Sequence, residues 1–199
     1  MIAPWKSVAG TVFQEAPRDV TFRLPSAASY DFNLLVSCPW AWYGKAKAEI
    51  TRIVAENGDK QPRVQRTLAR GNIGVKTSLD PRSVVQHLRT LFQKDASTIQ
   101  SSLKWVPIDL WTSSDMESLK RGVAALRNGI GPNETWRMTV ETRRYTALHK
   151  IDIIKELAEL IDRVVSLERP DKIVRIEILG NQAGISVLRP DEIFSVMKV

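Results

Sequence analysis

The chain has 199 residues, with 29 Lys and Arg against 22 Asp and Glu, and a formal charge of +7 at pH 7. Hydrophobic residues make up 43% and charged residues 26%, a globular composition that excludes wholesale disorder and suits one domain or two small ones packed together. No uncharged apolar run approaches the roughly eighteen residues of a membrane span, and a lone Cys38 with two histidines excludes a disulfide framework and a Cys/His zinc site. Met1 to Gly10 lack a basic stretch followed by an apolar core, so no secretory signal, no membrane association and a cytoplasmic location are expected.

Residues 1–29 mix Pro4, Pro17 and Pro25 with short apolar islands. They read as an extension, with a short strand at Thr21–Leu24 and packing through Trp5 or Phe13. Phe32–Cys38 (FNLLVSC) is an apolar run that predicts a buried strand. Trp40–Glu56 follows with a helical stripe of Tyr43, Ala46, Ile50, Ile53 and Val54, stopped by Asn57-Gly58. Gln61–Leu68 and Ile73–Thr77 read as strands joined by Gly71–Gly74. Period-two spacing sets Arg63, Gln65 and Thr67 on one face and Val64, Arg66 and Leu68 on the other. Ser78 or Asp80 caps the next helix, with Pro81 in its first turn and Val84, Val85, Leu88 and Leu91 inward. Leu103–Thr112 reads as one strand placing Trp105 and Trp111 on one face, with Pro107 marking an edge or a bulge.

Strand, helix, strand, strand, helix, strand over residues 30–112 predicts a ferredoxin-like domain with both helices on one face. The other face is left to be covered or to bind something. In residues 113–199, Ser113 or Ser114 caps a helix over Asp115–Arg127, with Glu117 completing a capping box. Thr135–Glu141 alternates as a strand with Trp136, Met138 and Val140 inward, and a basic connection, Arg143-Arg144-Tyr145, follows. A long helix is predicted over His149–Val164, then a strand pair at Lys172–Leu179 and Ala183–Leu188, then a last helical turn from Pro190 carrying Ile193, Phe194 and Val196. The whole is an α+β protein of two domains. The connection between them, Thr112–Asp115, is too short to let them tumble independently.

The charge is uneven. From Lys60 to Lys104 there are nine basic residues, Arg63, Arg66 and Arg70 among them, against Asp80 and Asp95, an excess equal to that of the whole chain. Such a field attracts a polyanion, or it is a solvated face. Catalytic patterns are missing. Cys38 ends a buried strand and reads as a packed thiol rather than a nucleophile. His87 and His149 have no sequence-near acid and nucleophile. Gly71–Gly74 lacks the ending and the context of a phosphate loop, and the acidic residues are scattered rather than spaced for a metal. No enzyme activity, metal or cofactor is expected.

Five stretches, in this order and spacing, carry a resemblance: Gly74–Pro81 (GVKTSLDP), Trp105–Asp109 (WVPID), Thr135–Arg144 (TWRMTVETRR), Ser166–Ile178 (SLERPDKIVRIEI) and Leu179–Ile185 (LGNQAGI) with Ser186 and Val187. Over roughly residues 30–199 the chain resembles the THUMP family, and more closely its short stand-alone members, relatives of the tRNA acetyltransferase adaptor. The resemblance implies a ferredoxin-like domain followed by a THUMP domain, the pair gripping tRNA at its acceptor stem and 3′ end. It implies no fused catalytic domain and a role in presenting tRNA to a separate RNA acetyltransferase for N4-acetylcytidine formation. Carried over residue by residue, it points to Lys76, Thr77 and Ser78, to Arg137, Arg143 and Arg144, and to Lys172. Asp171 then reads as a turn-former and Gly184 as a point of close approach. Together with Arg63, Arg66 and Arg70 of the basic stretch, these are the expected RNA contacts. The chain departs from the family in the loop after Arg144, where Tyr145-Thr146-Ala147-Leu148 is less basic. A general structured-RNA-binding protein without an enzyme partner is the competing expectation.

Overall fold

The computed structural model describes residues 30–197, so the expectations for the first 29 residues lie outside it. In the first half β1 (Leu34–Ser37) leads through a single 3-10 turn at Trp40–Trp42 into α1 (Tyr43–Glu56). β2 (Arg63–Arg66), β3 (Asn72–Lys76), α2 (Pro81–Lys94) and β4 (Lys104–Pro107) complete the unit. Asp80, not Ser78, caps α2: its carboxylate accepts the Ser83 amide at 2.9 Å, and Pro81 occupies the first turn, where its missing N–H costs nothing. The strands are antiparallel in the order β2-β3-β1-β4. One apolar cluster joins Leu34, Val36, Ile73, Val75 and Trp105 to Ile50, Ile53 and Val54 of α1 and Val84, Val85 and Leu88 of α2, so both helices cover the same face.

The predicted single strand over Leu103–Thr112 is two strands in two sheets. β4 ends at Pro107, and after Ile108-Asp109 the chain enters β5 (Leu110–Ser113), which pairs with a strand of the second half. Trp105 and Trp111 therefore do not share a face. Trp105 is fully buried beneath the helices, while Trp111 packs on Tyr30 and donates from its indole N–H to the Phe32 carbonyl at 2.7 Å.

The second half continues with α3 (Met116–Leu126), β6 (Trp136–Arg143), α4 (Lys150–Ala158), β7 (Lys172–Leu179) and β8 (Gln182–Leu188). Asp115 takes the cap expected of Ser113 or Ser114, accepting the Ser118 amide, and the Ser114 hydroxyl instead donates to the Gly180 carbonyl. The sheet order is β5-β8-β7-β6, with β6 and β7 parallel, so a crossover through α4 is needed between them. Leu119, Val123, Ile153, Leu157 and Ile161 of the α3 and α4 region cover one face, meeting Trp136, Val140, Val174, Ile176 and Ile185. The expected final helical turn is a 3-10 turn (Pro190–Glu192) followed by β9 (Phe194–Ser195), which crosses back to pair with β4.

The two sheets meet on the faces their helices leave open. Leu35, Val106 and Ala69 of the first pack against Ile108, Trp111, Leu179 and Leu188, with Tyr30 and Ile193 at the margin. The layers run helices, sheet, sheet, helices. Gly184 sits at this junction as expected of a close approach: a Cβ there would lie 3.0 Å from Ile108 and 3.2 Å from the Trp111 ring. Burial on both faces explains why β7 is a nearly continuous apolar run, interrupted only by Arg175 and Glu177 after its first residue.

Candidate nucleic-acid interface

β6 is an edge strand, and beside it the two sheets part to leave a cleft with a basic mouth. At the mouth, Arg70 from the β2–β3 connection stands with Arg143 and Arg144 from the exit of β6 around a recess of about 450 Å³ floored by Ala69. The backbone makes this possible on both sides. Gly71, at φ +76°, turns the β2–β3 connection so that its carbonyl accepts the Cys38 amide at 2.9 Å. Arg144 adopts φ +53°, a left-handed conformation that a side-chain-bearing residue rarely takes. Its guanidinium then reaches across the domain boundary to donate to the Leu68 carbonyl at 3.0 Å. Strain of this kind is held by its surroundings and concentrates at functional positions.

Back along β6 from this mouth, a second recess of about 540 Å³ lies between β6 and β7 on one wall and β4, β9 and Arg89 of α2 on the other. Its floor is a buried charge network. Glu177 accepts from Arg175 at 2.5 and 2.8 Å and from Arg143 at 2.6 Å, and Glu141 stands 3.7 Å from Arg175. One carboxylate thus orients two guanidiniums, fixing Arg143 in the mouth. Lys104 projects into the same space. Burial, reinforced by Arg175, lowers its pKa to about 8, while Glu177 and Glu141 partly offset the fall. Arg89 and Arg137 also line the cleft, and each is anchored to backbone rather than to a carboxylate: Arg89 to the Asp191 and Ile193 carbonyls, Arg137 to that of Leu167.

Of the ten expected contacts, Arg70, Arg143 and Arg144 converge at the mouth and Arg137 lies in the cleft. Arg66 is stacked over the Tyr43 ring at 4.1 Å, three residues along the chain from the Trp40 ring that Arg70 approaches. Arg63 and Lys76 sit opposite one another on β2 and β3, and Arg63 is ion-paired with Asp31 and lies over the Phe32 ring. Thr77 and Ser78 lie beside Asp59. The Thr77 hydroxyl donates to Asp59 at 2.7 Å and the Ser78 amide at 2.9 Å, so the donors expected to meet a phosphate already hold a carboxylate, whose pKa they lower. Lys172 lines neither recess. It registers with Trp136, on the helix-covered face, and pairs with Glu134 at 3.7 Å. Asp171 is a clamp rather than a local turn-former: it accepts the Thr135 amide and hydroxyl at 2.8 and 2.7 Å, tying the start of β7 to β6.

Sequence reasoning counted Lys104 and Arg89 only within the basic stretch and missed Arg175 and Glu177. Only the last pair leaves a local signal, two charges of equal parity in an otherwise apolar strand. Lys104 and Arg89 enter the cleft only because the sheets face each other. Cys38 is buried, and burial raises its thiol pKa, the reverse of an activated nucleophile. Among the described residues no cluster of three metal-ligating side chains occurs, and no helix is long and apolar enough to cross a membrane. The cleft offers guanidinium and ammonium groups at fixed separations, chemistry suited to holding anionic oxygens.

No curated protein matches the sequence. Among solved structures, PH1313 from Pyrococcus horikoshii Ot3 is similar with a TM-score of 0.60 at 16% identity, covering 78% of this chain and 54% of that one. TrmN from Thermus thermophilus is similar with a TM-score of 0.52 at 14% identity, covering 79% of this chain and 46% of that one. The chain thus spans about half the length of these structures, and at such identities the likeness is one of fold. The family model that matches is the THUMP domain, over residues 113–188, the stretch from the end of β5 to the end of β8 with its helices on one face.

Proposed function

We propose that the chain binds tRNA along the basic cleft between its two sheets and presents it to a separate RNA acetyltransferase, without itself catalysing a reaction. The observation that carries the reading is the convergence of Arg70 from the first half with Arg143 and Arg144 from the THUMP domain at one mouth. Two of these come from adjacent positions held by quite different means, a buried carboxylate for Arg143 and a left-handed backbone for Arg144. Recognition of a folded RNA rests mainly on phosphate position and shape, which a fixed set of guanidiniums reads. The resemblance to stand-alone THUMP proteins supports the adaptor role.

The test is tRNA binding followed across salt concentration. Replacing Arg143 and Arg144 together by Ala is expected to weaken binding and to flatten the dependence of log affinity on log salt by up to about two. An unchanged slope removes these residues from the interface. The purified chain is expected to transfer no acetyl group from acetyl-CoA to cytidine and to stimulate an RNA acetyltransferase acting on tRNA. Binding without stimulation favours a general structured-RNA-binding protein that has no enzyme partner.

A further inference from the structure

We infer that the aromatic turn entering α1, Trp40, Trp42 and Tyr43, is a stacking platform for unpaired RNA bases, continuous with the arginine mouth of the cleft. The turn follows directly from the end of β1. Cys38 is held to Gly71 by its amide, Pro39 redirects the chain, and the Trp42 amide closes the 3-10 turn on the Pro39 carbonyl at 2.9 Å. None of the residues Trp40–Trp42 is buried. Trp40 is 70% exposed and Trp42 44%, although the same domain buries Trp105 completely. Two neighbouring indoles left in water mark a surface that binds something.

The surrounding charge says what. A cation accompanies each ring: Arg70 lies 6.0 Å from the Trp40 centroid, Lys45 5.6 Å from that of Trp42, and Arg66 4.1 Å from that of Tyr43. Pro39 to Lys47 contains no acidic residue. The first turn of α1 likewise has neither a side-chain cap nor an acidic group, so nothing there offsets the positive end of the helix dipole. Aromatic faces interleaved with cations fit a chain of planar bases joined by phosphates, since every base has a face to stack and every linkage an anion. An apolar protein partner is matched less well by a surface in which every ring is accompanied by a charge. Arg70 belongs to both places, with its guanidinium beside the Trp40 ring and its side chain in the mouth with Arg143 and Arg144. A strand leaving a duplex held at the mouth meets Trp40 next.

The inference rests on the RNA-binding reading and is tested so that the two fail separately. The dissociation constants of the unaltered chain, Trp40→Ala and Trp40→Phe are measured at one salt concentration for a blunt RNA duplex and for the same duplex with four unpaired nucleotides at either end. The tail is expected to tighten binding to the unaltered chain. Trp40→Ala is expected to lose about tenfold on the tailed duplex, within the range of one stacked base, and nothing on the blunt one. Trp40→Phe, which keeps a stacking face, is expected to retain most of the gain. Blunt-duplex binding with no contribution from the tail, or an equal loss on both RNAs, overturns the platform and leaves the arginine mouth standing. Failure of the unaltered chain to bind either RNA overturns the RNA reading beneath it.

Discussion

Lys104 is the side chain whose titration the cleft alters most usefully. It faces Arg175 and Arg143, which disfavour its charge, and Glu177 and Glu141, which favour it, and burial brings its pKa to about 8 from an ordinary 10.5. Without RNA, the unfolded chain binds more protons than the folded one between those two values, so this residue makes stability rise with pH from about 8 to 10.5. Below pH 8 the folded state carries the full cost of a buried charge. A phosphate in the cleft reverses the preference by favouring the charged form. RNA affinity is therefore expected to hold through pH 7 and to fall as pH rises through about 8. Lys104→Met is expected to bind more weakly at pH 7, to lose the fall, and to melt higher than the unaltered chain at pH 7. Lys104→Arg, charged throughout, is expected to keep its affinity to pH 9. Binding isotherms and thermal melts at pH 7, 8 and 9 check each sign, and the difference between variant and unaltered chain removes the opposing titration of Cys38, whose raised pKa makes stability fall over part of the same range.

At the scale of elements, the β2–β3 connection tests whether the mouth is a specified geometry or a chance cluster. Gly71 at φ +76° carries Arg70, and a Cβ there would lie 2.9 Å from the Cys38 carbonyl oxygen, a backbone atom that cannot swing aside. Gly71→Ala is expected to cost about 1–2 kcal/mol for the left-handed conformation alone, read as a lower urea midpoint. It is also expected to weaken RNA binding under conditions where the chain is folded. Gly58, at φ +124°, ends α1 and bears no mouth residue, and a Cβ there would meet only a Leu79 methyl at 3.7 Å, so Gly58→Ala is expected to lose stability and keep affinity. The same scale shows what a sequence reveals. α1, α2 and α3 follow from apolar spacing, because each buries one face, and the β7–β8 pair follows from nearly continuous apolar runs, because the sheet is covered on both faces. β4 and β5 do not separate, because an extended chain keeps its alternation through Pro107 while changing sheets, and which sheet it joins is settled by partners remote in sequence. β9 reads as a helical turn because Pro190 suits a first turn and Ile193 and Val196 are three apart; the free edge of β4 makes it a strand instead. In the site, Arg143-Arg144 is legible as a basic strand exit, whereas Lys104 and Arg89 become neighbours of β6 only when the sheets stack.

For the whole molecule, the cleft keeps its shape only while the two halves hold one orientation, and the segment after β8 is what ties them. It follows the second half's sheet in the chain yet packs as part of the first domain. Phe194 is fully buried in the first core and meets Phe92 edge to face at 5.4 Å. Arg89 donates to the Asp191 and Ile193 carbonyls, and Arg82 bridges Asp109 at 2.8 Å and Glu192 at 3.6 Å. The first domain's core is thus incomplete without residues that the second domain delivers, while β5, delivered by the first, is an edge strand of the second sheet. Such an exchange couples the halves, because unfolding either one withdraws a strand from the other. Phe194→Ala is expected to lower stability by about 3–5 kcal/mol, the usual cost of emptying a buried aromatic site, and to shift one urea transition for the entire chain. Leu119→Ala, in the core of the other half, is expected to shift that same transition. Circular dichroism and the fluorescence of buried Trp105 and Trp136 report on the two halves together. A curve that splits in two under Phe194→Ala, with the second half still folded, means that the strand is only laid on the first sheet. The arginines of the mouth would then be free to separate, and RNA affinity would not depend on Phe194 beyond its effect on the first half.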